Sequence, residues 1–141
     1  MVAYFDTSAL VPLLIDEPSS ASCRRAWNDE SVVTSSSLAY VEVHAALAQA
    51  TRMDRLSTDE HRRAVQAFEV LWGDVAQIAP GAAVLRSAAV VTASHALRGY
   101  DAVHCASALA AASDDFVAVA GDHALLRAWS DLGIPVVDTR R

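Results

Sequence analysis

A chain of 141 residues bounds the fold to one domain around one core, here residues 1–141. Its 53% hydrophobic and 20% charged content excludes a disordered, fibrous or repetitive protein. Its two separated cysteines, Cys23 and Cys105, exclude a disulfide framework or cysteine zinc site and read as buried thiols in a reducing compartment. The formal charge of -6 argues against unaided phosphate binding, unless acidic side chains converge on a divalent cation that reverses the sign of their pocket.

In chain order, strand and helix signals alternate. Val2–Phe5 is a short apolar run broken by Asp6-Thr7-Ser8, and Ala9–Ile15 reads as a short helix with Pro12 inside it. A second helix follows Pro18-Ser19-Ser20 to about Trp27. Ser31–Thr34 is a strand, and Ser35-Ser36-Ser37 reads as a turn and cap before a long helix, Leu38–Arg52. Ser57 with Glu60 forms a capping box for a helix reaching Trp72, where Gly73 stops it. Its apolar stripe is Ala64, Val65, Phe68, Leu71 and Trp72. Val75–Ala79 is a strand, and a helix runs from Ala82 to Leu97. Gly99 punctuates the chain before another helix, Asp101–Ala112. Phe116–Ala120 is a buried strand, Asp122 opens a helix ending at Gly133, and Pro135–Val137 is the last strand. The alternation predicts an α/β sandwich around a mainly parallel sheet, with helix outweighing strand and the strand order unspecified. The apolar N-terminus lacks a basic leader and is interrupted by Asp6, and no window has the length of an uncharged membrane span. A soluble, cytoplasmic protein is expected.

Four acids stand out. Asp6 and Asp122 each follow an apolar strand, the position from which open α/β sheets present ligand-binding groups. Each is equally well placed to cap a helix. Glu42 is the only formally charged residue between Ser37 and Ala50, and on a helical wheel it shares a face with Leu38, Val41 and Ala45. A carboxylate there is costly unless it is paired, lifted to solvent or bound to metal. Asp101 begins a very apolar helix, where the helix dipole also favours an acid. Together the four suggest a hard-cation site for Mg²⁺ or Mn²⁺, since oxygen ligands without Cys/His spacing do not suit zinc. The chemistry matching such a site is metal-assisted phosphodiester hydrolysis.

These stretches resemble the PIN-domain ribonucleases, and in particular the VapC-type toxins of bacterial toxin–antitoxin pairs. Asp6-Thr7-Ser8-Ala9-Leu10 resembles the opening motif, and Glu42 falls where the second acid lies. Leu97-Arg98-Gly99-Tyr100-Asp101-Ala102-Val103-His104 closely resembles the third-acid motif. Gly121-Asp122-His123-Ala124-Leu125-Leu126, ending at Gly133-Ile134, resembles the fourth. The resemblance implies a three-layer α/β/α fold, a Mg²⁺- or Mn²⁺-dependent endoribonuclease, a small antitoxin partner and a toxin homodimer. It makes Asp6 and Asp101 the principal metal ligands, Glu42 and Asp122 their complement, and Ser8 the hydroxyl that steadies the acids, with Thr7 a weaker candidate. One departure is that Val119-Ala120-Gly121 offers no hydroxyl before Asp122.

Other residues read more plainly. His104, one turn beyond Asp101, is expected to be a packed histidine with one hydrogen bond, and His44 and His123 to be structural or at the surface. Arg24, Arg25, Arg52, Arg55, Arg62 and Arg63 fit a solvated helix face, and Arg98 is the best single phosphate candidate. Trp27, Trp72 and Trp129 fit core faces, and Val11, Leu13 and Leu14 fit either the core or a partner surface. A receiver domain or aspartate-phosphorylating phosphatase is excluded, because each needs a lysine and the chain has none. A catalytically inactive PIN-like module and a metal-dependent DNA nuclease remain as alternatives. The sequence names no RNA target, antitoxin, metal count or stoichiometry.

Overall fold

The computed structural model describes residues 1–141. Five strands run β1 Val2–Phe5, β2 Val32–Ser36, β3 Val75–Ile78, β4 Phe116–Ala120 and β5 Val136–Asp138. All four pairings are parallel, in the spatial order β3-β2-β1-β4-β5. The sheet therefore grows one way from β1 through β2 and β3, then crosses back to place β4 and β5 on the other side. The switch falls between β1 and β4, where an open parallel sheet offers a crevice at its carboxyl end.

The helices are α1 Thr7–Leu10, α2 Ser20–Asp29, α3 Leu38–Arg52, α4 Thr58–Trp72, α5 Ala82–Ser94, α6 Gly99–Ala111 and α7 His123–Asp131, with a 3-10 turn at Val11–Leu13. They cover both faces of the sheet and form the outer layers of an α/β/α sandwich. On one face Ala3, Phe5, Val33, Val75, Val117 and Val119 pack against α1 to α4 through residues such as Leu10, Val43, Leu47, Phe68 and Trp72. On the other, Tyr4, Phe116, Ala118 and Ala120 pack against α5 to α7 through Val91, Cys105, Leu125 and Trp129. All five residues of β4 are buried, which is why that strand is continuously apolar: a parallel strand covered on both faces has no polar side to alternate with. Val11, Leu13, Leu14 and Trp27 pack partly buried against the first core. Cys23 and Cys105 are free and buried. No helix is long and apolar enough to cross a membrane.

Most elements lie where the patterning puts them. The capping box forms in both directions, with Ser57 Oγ accepting from the Glu60 amide at 3.1 Å and Glu60 Oε1 accepting from the Ser57 amide at 2.9 Å. Four expectations change. Ser35 and Ser36 are strand, not turn, and both are fully buried. Their hydroxyls are satisfied locally: Ser35 Oγ donates to the Phe5 carbonyl at 2.6 Å, and Ser36 Oγ accepts from the Leu38 amide at 3.1 Å. Hydrogen-bonded serines can thus sit in an interior strand. Gly99 does not break the chain but opens α6, which places Asp101 inside the first turn. α5 ends at Ser94, short of Leu97, because Ala96 turns the backbone left-handed at φ +52°. The helix expected over Ala9–Ile15 starts earlier, at Thr7, and tightens to a 3-10 turn at Pro12, whose missing N–H suits a first-turn position.

Candidate active site

Four acids from separate stretches of chain meet at the carboxyl end of the sheet. β1 and β4 are neighbours in register, Phe5 beside Val119, so Asp6 and Asp122 leave the sheet at the same edge. Glu42 enters on α3 and Asp101 on the first turn of α6. The groups sense one another. Asp122 raises the pKa of both Asp6 and Asp101, and His104 lowers both. Glu42 joins them through His104, whose Nε2 lies 2.5 Å from its Oε1.

Asp6 occupies the N-cap position of α1 but makes no capping bond. Its Oδ1 accepts instead from Ser8 Oγ at 2.7 Å, and the same Ser8 oxygen accepts the Gly121 amide at 2.8 Å. Ser8 thus ties the end of β1 to the turn that presents Asp122. Burial pushes the Asp6 carboxyl up to about 6, with Asp122 adding to the rise while His104 and Ser8 oppose it. Asp122 does cap its helix: Oδ1 accepts the Leu125 amide at 3.0 Å. The two readings that the sequence leaves level, cap or site, separate at Asp6 and coincide at Asp122.

Asp101 keeps 18% side-chain exposure, and burial followed by the charge of Asp122 raises it above the usual carboxylate range. Arg98, 85% exposed, reaches it weakly, Nε to Oδ2 at 3.4 Å. The face that Glu42 shares with Leu38, Val41 and Ala45 is not the core face of α3; Ala39, Val43, Leu47 and Ala50 are. Leu38, Val41, Glu42 and Ala45 line, with Thr7 and Tyr100, an open depression of about 390 Å³. Glu42 is accordingly half-buried at the rim of the site. Thr7 Oγ1 donates to its Oε1 at 2.8 Å.

His104 corrects the expectation of a packed histidine with one hydrogen bond. It is buried, but both ring nitrogens are engaged: Nδ1 with the Tyr4 hydroxyl at 2.7 Å, Nε2 with Glu42. Burial disfavours its charged form, yet the Glu42 hydrogen bond and the charges of Asp6, Glu42 and Asp101 outweigh that and raise its pKa. The spacing of Asp101 and His104, three residues apart on one helix, was the available signal. Tyr4 carried none, since it reads as an ordinary strand aromatic. His44 bonds Glu69 at 3.0 Å on the surface, and His123 is exposed. Arg55 and Arg62 are tied to Glu17 and Asp59 in exposed pairs. Trp72 and Trp129 are core residues. Arg140, which no sequence motif singles out, forks onto Asp138 at 2.9 and 2.7 Å and feels the charge of Asp122.

The donor set fits a hard divalent cation in kind: four carboxylates, with Asp6 buried and the charge of Asp122 acting against both Asp6 and Asp101. As the side chains stand, no three acids or histidines are gathered into a ready-made metal cage. Glu42 is engaged by His104 and Thr7, and Asp122 by the Leu125 amide.

A parallel α/β/α domain with an acidic cluster at the sheet's switch point is the class that this fold and site define. The PIN domain family matches residues 3–128. Over 124 residues the chain is 40% identical to Ribonuclease VapC45 of Mycobacterium tuberculosis, covering 88% of this chain and 86% of that relative. Its backbone is similar to that of VapC20 of Mycobacterium tuberculosis, described as a sarcin-ricin loop cleaving toxin, with a TM-score of 0.71 at 21% identity over 96% of this chain and 98% of the other. It is also similar to a chain of a toxin–antitoxin complex from Klebsiella pneumoniae, with a TM-score of 0.65 at 18% identity over 97% of both chains. At such identities the structural likeness speaks for the fold alone. The chain belongs to the PIN domain family.

Proposed function

We propose that the protein is a divalent-metal-dependent endoribonuclease acting as the toxin of a toxin–antitoxin pair. The observation carrying this reading is the convergence of Asp6, Glu42, Asp101 and Asp122 on one end of the sheet in a chain 40% identical to a ribonuclease. Asp6 and Asp101 would be the principal holders of Mg²⁺ or Mn²⁺, with Glu42 and Asp122 completing the set. A bound ion would supply positive charge toward the phosphodiester and lower the pKa of water. Asp6, desolvated and held by Ser8, presents a fixed carboxylate whose charge His104 and Ser8 stabilise only in part, leaving the remainder to a bound cation. Ser8 keeps that carboxylate in register with Asp122 through the Gly121 amide. Thr7 and His104 hold Glu42 at the rim. The net reaction adds one water across a P–O bond, leaving a phosphate monoester and a free hydroxyl.

The Klebsiella neighbour is a toxin–antitoxin complex, and an antitoxin partner is part of this proposal. So are a toxin homodimer and a single domain spanning residues 1–141. The test is incubation of purified protein with structured RNA and with DNA of the same sequence. Cleavage of RNA with Mg²⁺ or Mn²⁺, lost with chelator and in Asp6→Asn and Asp101→Asn, is expected. Preferential cleavage of DNA would make it a DNA nuclease. No cleavage of either, with no metal bound, would make it an interaction module.

A further inference from the structure

His104 sits in a helix whose other inward residues are Ala102, Cys105, Ala106, Ser107 and Ala108, and the Ser107 hydroxyl also bonds Tyr4. Both nitrogens of the His104 ring lead along one line. The Ser36 amide donates to the Tyr4 hydroxyl at 3.2 Å, that hydroxyl meets Nδ1 at 2.7 Å, and Nε2 meets Glu42 Oε1 at 2.5 Å. The Tyr4 ring is itself wedged edge-on against His104 and Trp129, with centroids 5.9 and 5.8 Å away. The line therefore runs from the backbone of β2, through a fixed phenol, to a carboxylate at the rim. Because an ionised carboxylate has only lone pairs to offer, the hydrogen between His104 and Glu42 belongs to Nε2.

Thr7 donates to the same oxygen, Oε1, at 2.8 Å, and no protein donor reaches Oε2. Glu42 has three rotatable side-chain bonds and borders an open depression, so without these donors its carboxylate would be free to swing into water. We propose that His104 is a positioning residue for Glu42: oriented by Tyr4, it pins Oε1 together with Thr7 and leaves Oε2 as the atom offered to the metal ion. The proposal rests on the reading of Glu42 as a metal ligand. Hydrogen-bond partners of ligating groups fix their orientation, and removing one costs about 10- to 100-fold in metal affinity.

The experiment is a double-mutant cycle read by Mn²⁺ titration calorimetry, without RNA, on wild type, His104→Leu, Glu42→Gln and the double variant. His104→Leu is expected to weaken Mn²⁺ binding by about 10- to 100-fold. In the Glu42→Gln background it should add less than about twofold, the margin within which independent sites are additive. Tyr4→Phe removes only the phenol anchor and serves if His104→Leu does not fold; it should weaken Mn²⁺ binding in wild type and not in Glu42→Gln. Losses that multiply across the cycle, or no loss in either variant, would overturn the positioning role while leaving the nuclease reading intact. An unchanged Mn²⁺ affinity in Glu42→Gln would instead remove Glu42 from the ligand set, and the positioning role with it.

Discussion

Replacing Asp6 with Asn should stabilise the metal-free protein at neutral pH while abolishing cleavage. The Asp6 carboxyl is 4% exposed, and burial moves it from its ordinary 3.8 to about 6. In the unfolded chain it titrates at the ordinary value. The folded state therefore holds the proton more tightly, and the wild type loses stability as pH rises from about 4 to about 6, then levels off. A shift of about two units corresponds to about 3 kcal/mol. Asn carries no charge and keeps an Oδ1 to accept from Ser8, so Asp6→Asn is expected to match wild type near pH 4 and exceed it by up to about 3 kcal/mol above pH 6. Asp6 also raises the pKa of His104, so the difference curve reports Asp6 together with the His104 it faces, and about 3 kcal/mol is the upper limit of the effect. The assay is urea denaturation followed by circular dichroism from pH 4 to 8 in chelator. Adding Mn²⁺ at about 100 times its dissociation constant should then stabilise wild type by about 2.7 kcal/mol and the variant far less. A stability difference that is flat with pH, or a variant less stable than wild type at pH 7.5, would refute the argument that Asp6 is held charged against its environment.

Three further perturbations probe the scaffold around the acids. Ser8→Ala strips a hydrogen bond from Asp6 and leaves the Gly121 amide without its acceptor; a loss of about 1–3 kcal/mol in urea denaturation is expected, with reduced cleavage. Gly121→Ala places a Cβ 3.0 Å from Thr139 Oγ1 and 3.7 Å from Ser8 Oγ. It should destabilise by about 1–3 kcal/mol, and Thr139→Ala in the same chain should recover part of that loss because it vacates the crowded space. Leu47→Ala, at a fully buried site on the core face of α3, should cost about 2–5 kcal/mol by denaturant titration while leaving the remaining fold's requirement for divalent metal unchanged.

Which parts of this molecule were legible in its sequence follows from how local each determinant is. α3 and β4 were read to their boundaries because apolar periodicity and β-branched content decide them within a few residues. The capping box at Ser57 and Glu60 is likewise a four-residue event. Ser35 and Ser36 misled because serine's preference for turns is weak, whereas pairing with a neighbouring strand is strong, and that neighbour, β3, lies some forty residues away in sequence. The wheel that put Glu42 beside Leu38, Val41 and Ala45 had the right geometry and the wrong environment: the face is shared, but it borders the open depression and not the core. A helical wheel reports which side chains are neighbours and is silent on what covers them.

The acids show the same division at the level of the site. Taken singly, Asp6 and Asp122 present identical local signals, an aspartate between a strand and a helix, and the N-cap alternative has equal force for both. What separates them is the strand order. Because β4 returns to lie against β1, Ser8 can reach the Gly121 amide, and its hydroxyl proton then has the Asp6 carboxylate as its acceptor. Asp6 is thereby drawn away from its own helix and into a desolvated position beside Asp122. The cost of that burial is what a bound cation would offset. A chain optimised only for stability would not keep an aspartate there, so the pH dependence of folding in the absence of metal is a direct measure of how far this end of the sheet has been given over to binding.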